Sequence, residues 1–113
     1  MYRKYHNTRT VVDDMVFDSK AEARRWQQLR LMERGGVIRD LRRQVPYVLI
    51  KAGRWLSGKA YPKTVYKADF VYVVEGTGEV VVEDVKGVLT PEYKLKKKLM
   101  MEKYGIEIRE VRA

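Results

Sequence analysis

The amino-acid sequence predicts an α/β domain with a mixed central sheet flanked by two helices, its elements ordered helix, three strands, helix, strand. Three observations predict it. Two segments carry apolar residues at helical spacing, each opened by a capping residue and closed by glycine: Ser19 to Gly35-Gly36, and Thr90 to Gly105. Between them, strand-like segments at 64 to 74 and 79 to 85 are joined by Glu75-Gly76-Thr77-Gly78, a turn that returns the second antiparallel to the first. A last alternating segment follows the second helix, and a strand-helix-strand crossover places it parallel to the strand before.

The elements follow in order. Residues 1–10 read as a basic arm, with Arg3, Lys4 and Arg9 and little apolar periodicity. Val11 to Phe17 reads as a short hairpin turning at Asp13-Asp14. From Ser19 the helical pattern puts Glu22 on the same stripe as Trp26 and Leu29, so a carboxylate lies in the inward sector, while Arg24, Gln27, Gln28 and Arg34 take the solvated side. Val37 to Ile50 alternates loosely, with Pro46 interrupting a long strand or separating two shorter ones at an edge or bulge. Lys51 to Lys63, rich in Gly and Lys and interrupted by Trp55 and Tyr61, reads as a loop. From Thr64 to Val74, side chains alternate faces, with Val65, Lys67, Asp69, Val71 and Val73 on one and Tyr66, Ala68, Phe70, Tyr72 and Val74 on the other. In the second helix Pro91 follows the Thr90 cap, and Leu95, Leu99 and one or both of Met100 and Met101 form the apolar face. Ile106 to Val111 is the final strand.

At 113 residues the chain is expected to be a single domain, 1–113, large enough for one core without disulfides. There are no cysteines, which excludes thiolate metal sites and a cysteine nucleophile and suits a reducing cytoplasm. With one histidine, His6, any metal must be held mainly by oxygen, which suits magnesium or manganese. No run reaches the ~20 apolar residues of a membrane span, so a soluble protein with no membrane partner is expected. Twenty-four Lys and Arg against 15 Asp and Glu give a formal +9 and an isoelectric point near 9.8. A small domain so charged is drawn to polyanions, because each neutralised phosphate releases a condensed counterion.

Chemistry concentrates at Glu83-Asp84-Val85-Lys86-Gly87. Strand alternation turns Asp84 and Lys86 to one face and Glu83 to the other, toward the covering helix or a basic neighbour. Asp69 is a carboxylate in a Val- and Tyr-rich strand, costly to bury without a counter-charge. A turn over 75 to 78 sets Asp69 opposite Asp84, where like charges repel unless a cation lies between. That arrangement predicts a divalent-metal site.

Glu22 on a helix, Asp69 on one strand and Asp84-x-Lys86 on the next resemble the PD-(D/E)xK nuclease superfamily, whose restriction-endonuclease-like αβββαβ core has the same order. The chain is most similar there to small phage-encoded endonucleases of the Holliday-junction-resolvase kind. Phe17-Asp18-Ser19-Lys20-Ala21-Glu22-Ala23, Ala68-Asp69-Phe70, Val82 to Gly87 and Tyr93 to Lys98 carry the likeness, which runs from Val11 onward. Ala68 stands where the superfamily name has proline. The resemblance implies that Asp69 and Asp84 bind one or two Mg2+ ions, with Mn2+ as substitute, the Val85 carbonyl as a further ligand, and Glu22 completing the site directly or through water. It implies activation of a water for in-line attack on phosphorus, with Lys86 orienting that water or stabilising charge on the phosphorane. Gln44, Lys94, Lys96 and Lys97, with Arg3 and Lys4, are candidates for contacts to the DNA backbone. The implied activity is a DNA endonuclease acting on branched DNA as a homodimer, in the cytoplasm of a host if phage-encoded. A nicking, restriction-like or transposase-associated endonuclease, and a non-catalytic nucleic-acid-binding protein, are the alternatives.

Several residues keep a second reading. Ser19 to Glu22 also fits a capping box, with Glu22 bonded to the Ser19 N–H. The lysines of the second helix also fit a solvated face, although so many with few acids repel one another unless an anion is near. Trp26 suits the core, and Trp55 in its basic loop suits either packing or stacking on bases.

Overall fold

The computed structural model describes residues 9–113; Arg3, Lys4 and His6 lie outside them. Strands β1 (Thr10–Val12) and β2 (Met15–Phe17) form the expected hairpin. Its turn is Asp13-Asp14, both left-handed at φ 52° and 62°, which a two-residue turn of type I′ requires and aspartate tolerates. Helix α1 (Lys20–Arg34) follows, capped by the Ser19 hydroxyl, which accepts the Glu22 N–H at 3.1 Å. Glu22, Ala23, Trp26 and Leu29 are its buried stripe, as the spacing predicts.

Four strands make the central sheet in the order β3 (Ile38–Ile50), β6 (Thr64–Val74), β7 (Val80–Lys86), β8 (Arg109–Arg112). β3, β6 and β7 are antiparallel and β8 is parallel to β7, so the sheet is mixed. β3 is one continuous strand despite Pro46. It lies at the sheet edge and pairs only with β6, where a residue without an N–H costs no ladder bond on the open side. Asp40 and Gln44 of β3 are left-handed at φ 55°, and the register slips by one residue between Arg39 and Arg42. A bulge of this kind bends the strand and strengthens its twist.

Helix α2 (Pro91–Tyr104) links β7 to β8, capped by the Thr90 hydroxyl and ended by Gly105 at φ 68°, where a side chain would be strained. Each helix covers one face of the sheet. On the α1 face Phe17, Trp26, Leu29, Ile38, Phe70, Tyr72 and Val81 form one cluster; on the α2 face Leu49, Tyr66, Ala68, Val71, Val82, Tyr93, Met100 and Ile108 form another. A side chain such as Phe70 or Leu29, fully buried, contributes about 1.5–3 kcal/mol.

Four expectations are corrected. The segment from Lys51 to Lys63 is not wholly loop: β4 (Gly53–Arg54) and β5 (Ala60–Tyr61) pair as a separate small ribbon. The apolar face of α2 includes Leu99 and Met100 as expected but not Leu95, which is 58 % exposed; buried Tyr93 takes its place. The final strand begins at Arg109, and Ile108 before it is buried. The alternation along β6 is broken: Tyr66 and Ala68 pack toward α2, whereas Phe70 and Tyr72 pack toward α1. The break falls at Asp69, opposite left-handed Gln44.

Candidate active site

The register of the β6–β7 hairpin runs from Val73 opposite Val80 to Phe70 opposite Glu83, one step short of the expected pairing of Asp69 with Asp84. There the ladder stops. The Val85 N–H donates to the Asp69 carboxylate at 2.8 Å instead of to β6 backbone, so the strands part where the two acids sit. Backbone geometry also fixes the Val85 carbonyl. The Ala113 N–H bonds the Lys86 carbonyl on the β8 side, and since successive peptide groups of a strand point opposite ways, the Val85 carbonyl faces the Asp69 side.

Alternation sorts the two acids of β7 as predicted. Glu83 is completely buried on the α1 face, where the Arg25 guanidinium grips it with two hydrogen bonds, Nε at 2.8 Å and Nη2 at 2.7 Å, and the Tyr72 hydroxyl donates a third. That carboxylate is fully engaged in holding α1 to the sheet. Tyr72 is correspondingly pushed up to about 12, by burial and then by its bond to Glu83. Asp84 turns to the α2 face. Its Oδ2 accepts from the Tyr66 hydroxyl at 2.6 Å and its Oδ1 lies 3.3 Å from Lys86 Nζ. The Lys86 ammonium sits 4.2 Å from the centre of the Tyr93 ring, a cation–π contact that fixes its stem over the helix.

Asp69 and Asp84 share one groove of about 300 Å³, which Lys67, Lys86, Tyr93 and Lys96 also line. The Asp69 carboxyl is pushed up to about 8, first by burial, then by the charges of Asp84 and Glu22, with the Val85 N–H opposing. Two carboxylates at one parting cannot both ionise cheaply unless a cation is present. Burial and the Asp84 charge likewise raise the Tyr66 hydroxyl, which stays a donor to Asp84.

Glu22 stands behind this pair. It is buried, and its Oε1 accepts from Gln44 Nε2 at 2.9 Å, with the Arg43 guanidinium at 4.0 Å. Burial and Asp18 raise its carboxyl, and Arg43 and Gln44 pull the other way. Glu22 is not among the residues that line the groove, and its charge helps raise the Asp69 carboxyl. The bond from Gln44 gives that residue a partner inside the fold where a DNA contact was expected. Among the described residues no three acidic or histidine side chains converge as a closed metal cluster. The donors available are two carboxylates and one carbonyl, an open arrangement that leaves positions for water and substrate, as magnesium sites commonly do.

The lysines of α2 separate. At ~100° per residue, positions two apart diverge by ~200°, so Lys94 and Lys96 cannot share a side. Lys96 lines the groove of Asp69 and Asp84. Lys94 and Lys97 line a different depression with Lys98, Met101 and Glu107, and Lys97 is paired with Glu110 at 2.8 Å. Thus the structure brings Asp69, Asp84, Lys86 and Lys96 together, sets Glu22 and Gln44 behind them, and directs Lys94 and Lys97 elsewhere. Reading the sequence missed Tyr66, Tyr93 and Arg25. Tyr93 was findable from its i, i+3, i+7 spacing to Lys96 and Met100, whereas the broken alternation of β6 concealed Tyr66.

A family model described as "Protein of unknown function (DUF1064)" matches residues 2–112. No curated protein and no solved structure gives a match.

Proposed function

The chain belongs to the DUF1064 family, of unknown function, and from the geometry of its acidic groove we propose that it is a metal-dependent DNA endonuclease with a restriction-endonuclease-like core. The observation that carries the reading is the pairing of Asp69 and Asp84 at the parting of two strands, with Lys86 3.3 Å from Asp84. A purely structural carboxylate would be satisfied as Glu83 is, by a guanidinium and a hydroxyl. Asp69 has one backbone donor and two acidic neighbours, and burial with those two charges raises its carboxyl, surroundings that suit a bound cation.

Asp69 and Asp84 would hold Mg2+ or Mn2+, with the Val85 carbonyl as a third donor. Such an ion, when bound, supplies Lewis acidity toward a phosphate and the water that attacks it. Tyr66 keeps Asp84 turned into the groove. Lys86, steadied on Tyr93, presents a cation where charge grows on the phosphorus oxygens. Lys67 and Lys96 flank the same groove and suit the phosphates either side of the one cut. Glu22, bonded to Gln44, adds its charge to the field at Asp69 and favours a cation there.

The formal +9 favours DNA over small phosphate esters. A non-catalytic nucleic-acid binder would share the basic surface, but the paired acids would repel the phosphates it must hold. Cutting both strands of a branched substrate requires two such grooves, hence a homodimer. The test is a panel of labelled four-way junction, linear duplex and single strand, incubated with Mg2+ or with EDTA. Cleavage confined to the Mg2+ lanes, strongest on the junction, is the expected result. No cleavage of any substrate with Mg2+ or Mn2+ refutes the enzyme.

A further inference from the structure

The ribbon of β4 and β5 ends in Trp55-Leu56-Ser57-Gly58, and both apolar side chains of that tip face solvent, Trp55 60 % exposed and Leu56 fully. The tip is held in shape. The Trp55 N–H donates to the Lys59 carbonyl and the Gly58 N–H to the Trp55 carbonyl, both at 2.8 Å, and the Arg54 guanidinium bonds the Gly58 carbonyl. The Trp55 ring leans on Tyr61, with centroids 5.0 Å apart, and Tyr61 lies across Gly53, where any Cβ would collide with its ring. Trp55 is thus mounted on a second aromatic, and a side chain at Gly53 would push that ring aside.

The surrounding charge selects the occupant. From Lys51 to Lys63 the chain carries Lys51, Arg54, Lys59 and Lys63 and no Asp or Glu. A second copy of the tip would bring a second cationic ribbon against the first, whereas a polyanion neutralises both. We infer that the tip contacts nucleic-acid bases: Lys and Arg take the flanking phosphates while Trp55 stacks on an exposed base and Leu56 fills the gap beside it. Stacking needs an open base face, which the interior of a duplex does not offer. The ligand class is therefore DNA with unpaired or parted bases, as at the crossover of a branched molecule. This rests on the nuclease reading and narrows its substrate. β6 begins at Thr64, five residues or about 17 Å from Asp69 at ~3.3 Å per residue, and the ribbon precedes that end of the strand.

The experiment titrates wild type into a four-way junction carrying 2-aminopurine at the crossover, in EDTA, with anisotropy of a labelled duplex alongside. Unstacking raises 2-aminopurine emission. Wild type should raise it several-fold, and Trp55→Ala with Leu56→Ser should abolish the rise and weaken junction binding roughly tenfold, the equivalent of one lost stacked base, while duplex binding stays within about twofold. Trp55→Phe should restore part of the rise. Gly53→Ala, which displaces Tyr61 and leaves Trp55 in place, should diminish it. A rise undiminished in the double variant overturns the inference, as does junction binding by wild type with no rise. So does a double variant that turns a dimer into a monomer yet leaves the rise intact, since the tip would then be a subunit contact. None of these outcomes touches cleavage, so the endonuclease reading stands or falls separately; absence of all DNA binding at low salt sinks both.

Discussion

Replacing Asp69 by Asn should make the metal-free protein more stable and inactive, and the stabilisation should grow with pH. The folded Asp69 carboxyl keeps its proton up to about 8, whereas an unfolded one releases it near 3.8. Between those values the folded state binds more protons, so Asp69 favours folding at low pH and loses that contribution as pH rises through the window. At ~1.4 kcal/mol per pH unit the full shift is on the order of 5 kcal/mol; Asp69 is partly accessible, and screening by water leaves about 2–3 kcal/mol. Asn keeps an oxygen for the Val85 N–H and brings an N–H₂ toward Asp84, without the charge. Melting in EDTA should therefore show the variant level with wild type at pH 4 and about 10 °C above it at pH 9. Mg2+ at a hundredfold its Kd should return ~2.7 kcal/mol to wild type at pH 9 and little to the variant. A melting gap that is flat or inverted with pH would show that Asp69 is not a carboxylate strained for want of a cation.

The remaining predictions address the neighbours. Arg25→Ala leaves completely buried Glu83 without its guanidinium and should destabilise by about 3 kcal/mol, read by urea unfolding, because a buried charge loses its partner. Tyr66→Phe removes the 2.6 Å bond to Asp84 and should weaken Mg2+ binding and cut cleavage roughly tenfold, at a stability cost of about 1–2 kcal/mol. Lys96→Ala should weaken DNA binding and reduce the slope of log K against log salt by about 1, whereas Lys94→Ala, on the other side of α2, should leave that slope nearly unchanged.

Much of this molecule was legible in its sequence wherever local chemistry decides the outcome. Thr90-Pro91 and Gly105 mark α2 because caps act within a turn of the chain. The hairpin turn over 75 to 78 set the register, which runs to Phe70 and Glu83 and leaves Asp69 and Asp84 together in one groove just beyond. Alternation separated Asp84 from Glu83 and turned Glu83 toward the covering helix, where Arg25 waits.

What was hidden depends on long-range packing. The face switch of β6 at Asp69 answers a left-handed Gln44 on a strand 25 residues earlier, and no local pattern announces it. Leu95 looked like core by hydropathy, but the helix turns Tyr93 inward instead, where the aromatic reaches the groove and supports Lys86. Gln44, placed by sequence near DNA, also bonds Glu22, a partner no local pattern announces. The β4–β5 ribbon escaped notice because two-residue strands carry no periodicity.

The central claim is that Asp84, Asp69 and Lys86 cut DNA with a divalent ion. Its most direct measurement is single-turnover cleavage of a labelled four-way junction with Mg2+ by wild type, Asp84→Asn and Lys86→Ala, each shown to be folded and to bind the junction in EDTA. The account predicts cutting by wild type alone, with both variants slower by at least a hundredfold. Undiminished cutting by either variant, or none by wild type, would contradict it.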